Sequence, residues 1–523
     1  MELSNFQQIE LATMGRRKEL FRVGMAMLFI VSIMIYVGVT SQGVPKAYLL
    51  VAAAVIGAYM AMNIGANDVA NNVGPAVGSK TITLTGAIVI AAVFEAAGAL
   101  IAGGEVVATI KKGIIDPAVL TDQRAFVWLM MAALLAGAIW LNLATYMGWP
   151  VSTTHSIVGG VLGAGVAAGG FGIANWDRMG AIAASWVISP LMGGVIAAMF
   201  LYVIKRLVTY QSDMIAAARR VVPILIAILA WAFGTYLMLK GLKKVWKVDF
   251  FTAASIGLAF AVAVFLVVWP LIGRAAANVS ASKDSVNKLF VIPLICAAAL
   301  LSFAHGANDV ANAVGPLAAI NEAVLGGGVA KKAAIPLWVM MVGALGIALG
   351  LALYGPKLIR TVGSEITELD QSRAFCIAMA AAITVIIASQ LGLPVSSTHV
   401  AVGAVFGVGF LREIIKTNYA DALIEIRHHH TGADEKVVEE FLQRFEEAPF
   451  QTKGQMLKDL KKQNLNAVGL TREERKELRR GYRKELVKRS MALKIASAWV
   501  ITVPISAFLA MLLYYTIRGM LLP

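Results

Sequence analysis

The sequence predicts an all-α polytopic membrane protein of about 11–12 transmembrane helices, built as two inverted repeats with re-entrant or broken helices at the membrane midplane. Three observations lead there. Apolar residues make up 59% of the 523 residues and charged residues 15%, with a mean hydropathy of +0.74, which a water-exposed surface does not carry. The apolar sequence comes in long runs free of Asp, Glu, Lys and Arg. Two polar motifs then recur in the same order in the two halves of the chain.

The charge-free runs define the spans, because roughly 20 apolar residues are needed to cross the hydrocarbon. They are 23–45, 47–67, 179–204, 221–239, 250–273, 289–308, 333–356 and 495–517, with a further span over about 81–104 that Glu95 interrupts. The run 23–45 is too long and wrongly flanked for a cleaved signal peptide. Two runs have awkward lengths, 52 residues for 125–176 and 38 for 374–411, and each carries a proline and a hydroxyl cluster near its middle, at Pro150 and Pro394. Each is expected to be one full helix followed by a broken or re-entrant segment, since irregular backbone at membrane depth survives only where protein buries it or a wet cavity meets it.

The segments GANDVANNVGP at 65–75 and GANDVANAVGP at 306–316 match at ten of eleven positions, 241 residues apart; PVSTTH at 150–155 and PVSSTH at 394–399 match at five of six, 244 apart. A third echo, WVIS at 186–189 and WVIT at 499–502, lies 313 apart, which places an insertion inside the second repeat. Residues 411–490 are that insertion: they hold 18 of the 46 Lys and Arg and 14 of the 31 Asp and Glu. The expected organisation is 1–46, an N-terminal segment with an extra transmembrane helix; 47–207, the first repeat; 208–287, linking helices; 288–410, the first part of the second repeat; 411–490, a charged cytoplasmic insertion; and 491–523, the last helix of the second repeat.

A loop this charged, ending in RKELRRGYRKELVKR, belongs on the cytoplasmic side, and Arg16, Arg17, Lys18 and Arg22 put the N-terminus there too. The net charge of +15 therefore belongs to loops and not to a nucleic-acid surface, because no basic stripe with interleaved aromatics appears outside them. Cys296 and Cys376, both within apolar runs, read as small core hydrophobes and not as metal or disulfide partners.

An ionised Asp inside an apolar span costs at least about 2.5–3.5 kcal/mol and marks a functional site. Asp68 and Asp309 stand at such depth, preceded by Asn67 and Asn308 and followed by Asn71 and Asn312. Helical spacing sets these carboxylate and amide oxygens on adjoining faces, a supply of hard oxygens suited to Na⁺ or a proton. The flanking Gly65, Gly74, Pro75 and Gly306, Gly315, Pro316 are expected to break the helices and free carbonyls. Ser152, Thr153, Thr154 and Ser396, Ser397, Thr398 follow prolines and open helices, which is the makeup of an anion-binding helix N-terminus. Two such ends at a repeat axis suit a tetrahedral oxyanion. Structural alternatives stand beside these readings: a buried polar knot for the aspartates, back-bonded hydroxyls for the Ser and Thr clusters. His155 and His399 read as scaffold. His305, opposite Ile64 in the other repeat, stands outside a symmetric site, and His428–His430 read as solvated loop. Glu95 has no acidic counterpart and is either a coupling-ion ligand or a helix-packing group.

The paired GAND-VAN and PVS-TH motifs with the WVIS and WVIT echoes resemble the inorganic phosphate transporter (PiT) family, over about 47–517. The resemblance implies not an enzyme but a symporter, importing inorganic phosphate with Na⁺ or H⁺ by alternating access. It implies phosphate-binding hydroxyls at 152–154 and 396–398, and essential acidic motifs at Asn67, Asp68, Asn308 and Asp309, with Na⁺ at the two aspartates. No cofactor beyond the co-transported Na⁺ is expected. The expected partners are phosphate, the cation, the lipid bilayer of an inner or plasma membrane and a second copy of the chain, with no nucleic acid. A sulfate permease of the same fold and, remotely, an intramembrane aspartyl protease are the rival readings.

Overall fold

The structure is a computed structural model. It describes residues 2–416 apart from 121, 212, 242–245, 247, 278, 280–281, 326–334 and 362–368, together with a few positions between 440 and 456, and residues 489–521. The chain divides into two compact units, Met1–Val408 with Ser490–Pro523, and Gly409–Arg489; most of the charged insertion, with His428–His430, lies outside the described residues.

The helices run in the order α1 (Glu2–Thr40), α2 (Ala47–Asn67), α3 (Ala70–Gly78), α4 (Leu84–Ala102), α5 (Gly104–Lys112), α6 (Gln123–Met147), α7 (Thr153–Gly169), α8 (Trp176–Ile204) and α9 (Met214–Tyr236). Then come α10 (Phe250–Ala277), α11 (Lys283–Asn287), α12 (Val291–Asp309), α13 (Ala311–Val324), α14 (Leu337–Tyr354), α15 (Pro356–Arg360), α16 (Gln371–Gln390), α17 (Ser397–Lys416) and α18 (Arg489–Leu521). Eleven helical stretches among the described residues are long and apolar enough to cross a membrane, as a chain that must satisfy its backbone internally in lipid requires. The awkward runs resolve into α6 plus the 17-residue α7, and α16 plus α17, with a non-helical connection at each proline.

Burial separates core from periphery. Span windows in α2–α3, α6, α12–α13 and α16 are 72–83% buried, whereas those in α1 and α10 are 11% and 17% buried and turn apolar side chains outward. Cys376 is buried in α16, but Cys296 lies on the exposed side of α12, so only one of the two thiols is a core residue.

The two repeats interlock through close helix contacts at glycine. Gly159 and Gly163 of α7 face the backbone of Val503 and Ala507 in α18, while Gly403 and Gly407 of α17 face that of Pro190 and Gly194 in α8. Each repeat's hydroxyl-bearing helix thus packs against the end helix of the other, and small residues let the backbones meet. Gly407→Leu would drive a side chain into the Gly194 carbonyl. We expect it to lower the unfolding midpoint by several degrees or to abolish recovery of folded protein, measured by thermal unfolding in detergent.

The expected helix breaks at Gly65 and Pro75 fall elsewhere. The chain breaks at Asp68–Val69 and at Val310, and Pro75 and Pro316 lie inside α3 and α13. Gly65 and Gly306 serve packing instead: a Cβ there would overlap the carbonyl oxygens of Ile347 and Glu95, on α14 and α4.

Candidate functional site

The interruptions at Asp68 and Asp309 meet the interruptions at Pro150 and Pro394. At Asp68 the break is tight, because the Asp68 carbonyl accepts from both the backbone N–H (3.0 Å) and Nδ2 (2.9 Å) of Asn71. The α6–α7 connection turns at Gly148 (φ 73°) and the α16–α17 connection at Gly392 (φ 65°), left-handed positions 244 residues apart where a side chain would be strained. Asn67 clamps the first connection, donating to Thr145 Oγ1 (2.9 Å) and Trp149 O (3.1 Å) and accepting from Val151 N (3.1 Å). Asn308 grips the second the same way, through Ser389 Oγ (2.9 Å) and Leu393 O (3.5 Å). These two amides, expected among the cation ligands, therefore have a positioning task. The acceptor of Asn67 is occupied, while Asn308 Oδ1 has no hydrogen-bond partner among the described residues.

The hydroxyl clusters split into three jobs. Ser152 and Ser396 are helix caps whose Oγ accepts from His155 N (3.0 Å) and His399 N (3.2 Å). Thr153 Oγ1 donates to Asp68 Oδ2 at 2.5 Å, and its counterpart Ser397 Oγ to Asp309 Oδ2 at 2.6 Å. Thr154 and Thr398 cross between repeats: Thr154 Oγ1 donates to Val395 O (3.0 Å), and Thr398 Oγ1 lies 2.5 Å from Asp68 Oδ1 and 3.4 Å from Val151 O. The asparagines cross as well. Asn71 Nδ2 donates to Thr398 Oγ1 (2.9 Å), and Asn312 Nδ2 to Thr153 Oγ1 (3.0 Å) and Thr154 Oγ1 (3.3 Å). All these side chains are buried.

The first turns of α7 and α17 thus face each other, and behind them the rings of His155 and His399 lie 4.3 Å apart. His155 packs on Trp186 (3.8 Å) and His399 on Trp499 (3.6 Å), the two tryptophans of the third sequence echo. The pair is held by ring packing, each imidazole against a tryptophan and against the other.

His305 is the residue that symmetry reasoning passed over. Its Nδ1 lies 2.7 Å from Glu95 Oε2, and its Nε2 lies 2.7 Å from Asp309 Oδ2, an ion-pair distance without aligned hydrogen-bond geometry. Glu95 Oε1 accepts from Asn72 Nδ2 at 2.6 Å. Asp68, His305 and Asp309 bring one ligand atom each to within 4.8 Å of one another. The asymmetry is concerted: Gly306 packs on the Glu95 carbonyl as Gly65 packs on that of Ile347, so the Glu95–His305 pair corresponds to Ile347 and Ile64, two apolar residues. The available signal was an acid on α4 and a base on α12, each replaced by Ile in the other repeat.

The jobs of the hydroxyls set an order of effects. Thr153→Ala and Ser397→Ala each take a hydrogen bond away from a buried carboxylate, worth about 1.5–3 kcal/mol, and should impair the activity of the site about tenfold or more. Ser152→Ala removes a cap, worth about 1 kcal/mol, and should act mainly on thermal stability. Uptake kinetics and thermal unfolding of the three variants check that order.

A family model described as the phosphate transporter family matches residues 64–510. The chain is 51% identical to a protein of Helicobacter pylori strain J99 over 98% of both chains. It is 40% identical to one of Chlamydia trachomatis serovar D, over 71% of this chain and 91% of that one; both carry the name "Putative phosphate permease". Among solved structures, "The sodium-dependent phosphate transporter" superposes with a TM-score of 0.73 at 31% identity, over 91% of this chain and all of that one.

Proposed function

Because the chain belongs to the phosphate transporter family, we propose that it imports inorganic phosphate together with Na⁺ by alternating access of the paired breaks in its repeats. The chain is an integral membrane transporter and not an enzyme. The observation that carries the coupling is the set of buried acceptors around the aspartates. Asp309 Oδ1, Asn71 Oδ1 and Asn308 Oδ1 lack hydrogen-bond donors among the described residues. Buried acceptors are normally satisfied, and oxygens of this kind are the ligands a hard cation takes. In this reading Asp68, Asp309, Asn71 and Asn308 serve the cation, Asn308 through that Oδ1 while its Nδ2 holds the second connection, and Asn67 holds the first connection in register. The solved relative is sodium-dependent by name, which favours Na⁺.

Phosphate is then held between the first turns of α7 and α17, by backbone N–H groups and by the hydroxyls of Thr153, Thr154, Ser397 and Thr398 once these turn from Asp68, Asp309 and Val395 O to the anion, where two helix ends oppose negative charge with positive dipole. Discrimination against sulfate follows from the proton on hydrogenphosphate, which asks for a carboxylate acceptor, and Asp68 and Asp309 are the carboxylates within reach of those hydroxyls. A proton as the coupling ion is the second reading. It is favoured by His305, whose ring stands between two buried carboxylates, with Nδ1 hydrogen-bonded to Glu95 Oε2 and Nε2 2.7 Å from Asp309 Oδ2, a place where a proton can be held. Radiolabelled phosphate uptake into proteoliposomes under imposed Na⁺ or pH gradients, with sulfate as competitor, separates the readings. Uptake that ignores the Na⁺ gradient and follows the pH gradient discards sodium.

The repeats are taken to be inverted. In that arrangement the 17-residue α7 crosses the bilayer together with α4, α6, α8, α9 and α10, and α2 and α12 run in opposite directions. With a cytoplasmic N-terminus, a cysteine at Trp176 is labelled by an impermeant reagent from outside and one at Arg444 only after the membrane is opened. Labelling of both from one side removes the inverted arrangement.

A further inference from the structure

A cleft of about 470 Å³ lies between α1 and the end of the bundle where α6 and α14 terminate. Its mouth carries two cations against one carboxylate: Arg22 pairs with Glu19 at 2.7 Å, and Lys357 Nζ donates to the Tyr146 carbonyl at 2.6 Å and has no acidic partner among the residues of the cleft. Its floor is made of amide and hydroxyl groups: Asn142 Nδ2 donates to Asn63 Oδ1 (3.3 Å), and Thr145 Oγ1 accepts from Asn67, the residue beside Asp68. The cleft therefore ends two hydrogen bonds, through Asn67, from the connection that carries the hydroxyl cluster.

We propose that this cleft is a second binding site, for a phosphate group held by Arg22 and Lys357. An excess of positive charge at the edge of an apolar bundle calls for an anion. Guanidinium and ammonium together suit a phosphate, one as a planar fork of donors and the other as a mobile point charge. The floor supplies neutral donors and no further carboxylate. One wall belongs to α1, which precedes the residues that the family model matches.

The phosphate group has two sources. One is free orthophosphate moving between solution and the central site. The other is the headgroup of an anionic phospholipid whose chain lies along Val23, Met27 and Ile30 on the α1 wall. The inference does not depend on which cation drives transport, and its failure looks different: losing the central site stops uptake, whereas losing the cleft changes its affinity or its lipid dependence.

The test uses the full chain, wild type and the Arg22→Gln/Lys357→Gln double variant, in vesicles of phosphatidylcholine alone or with phosphatidylglycerol. Native mass spectrometry of the purified proteins after each lipid is added back completes it. Free phosphate as occupant predicts a KM raised about tenfold or more in phosphatidylcholine vesicles. A lipid headgroup predicts loss of one retained phosphatidylglycerol, with the KM in phosphatidylcholine within twofold of wild type. Glu19→Gln, which leaves both cations in place and removes the competing carboxylate from an exposed position, moves the same readout in the opposite direction and serves if the double variant fails to fold. A double variant matching wild type in both lipid retention and KM overturns the proposal, as does Glu19→Gln weakening retention and raising KM.

Discussion

Asp68→Asn and Asp309→Asn are each expected to lower gradient-driven phosphate uptake by two orders of magnitude or more while leaving the protein folded. Asp68 receives Thr153 Oγ1 and Thr398 Oγ1, one on each carboxylate oxygen, both at 2.5 Å. A hydrogen bond to a charged group is worth about 1.5–3 kcal/mol, so neutralising the acceptor of two weakens them together. It also removes the charge that a buried cation needs for compensation. The amide keeps the size and one acceptor of the acid. A polar knot that only pins helices would therefore tolerate it and gain stability, since a neutral group is easier to bury than an ion. The measurement is uptake in vesicles across a range of Na⁺ concentration and pH. Wild-type cation dependence in either variant takes that aspartate out of the coupling role.

The second large effect is expected at the asymmetric pair. His305→Ile alone leaves Glu95 and Asp309 buried without their partner, and Glu95→Ile alone leaves His305 facing Asp309 only. Breaking a buried pair from one side costs about 3–5 kcal/mol, enough to leave little folded protein. The double variant Glu95→Ile/His305→Ile copies the Ile347 and Ile64 of the other repeat, where the same helix contact is already apolar. It should regain part of the stability that each single change loses, because the charged pair goes as a unit, while Asn72 Nδ2 loses its Glu95 acceptor and stays buried where the other repeat has Ala313. Uptake should stay impaired, since Asp309 keeps Ser397 but loses the ring beside it. Thermal unfolding and phosphate uptake of the three variants form the cycle. A double variant as unstable as the sum of the singles removes the structural correspondence, and full uptake in it makes the pair a packing device.

The glycines mark the limit of local pattern reading. Gly65 and Gly306, beside the aspartates, look like helix breakers on local grounds, yet each permits the approach of a helix from elsewhere in the fold. Asn67 and Asn308 adjoin Asp68 and Asp309, and their amide nitrogens also tie down segments about eighty residues away, which no local pattern shows.

By itself the sequence determined the membrane class, the spans, the duplication and the polar motifs that lie buried at its centre. Each of these is written in local chemistry: runs without charge, a carboxylate where ionisation is expensive, a proline followed by hydroxyls. It also showed that Glu95 and His305 lack polar counterparts, and symmetry then argued against His305. Only the tertiary structure decided that these two unmatched residues meet each other, that Asn71 reaches Thr398 and Asn312 reaches Thr153, and that Ser152 and Ser396 are caps while their neighbours face the acids. The physical reason is the register between helices of different repeats. It is set by how closely backbones meet at Gly65, Gly306, Gly163 and Gly407, and a helical or hydrophobic period within one segment carries no record of that distance.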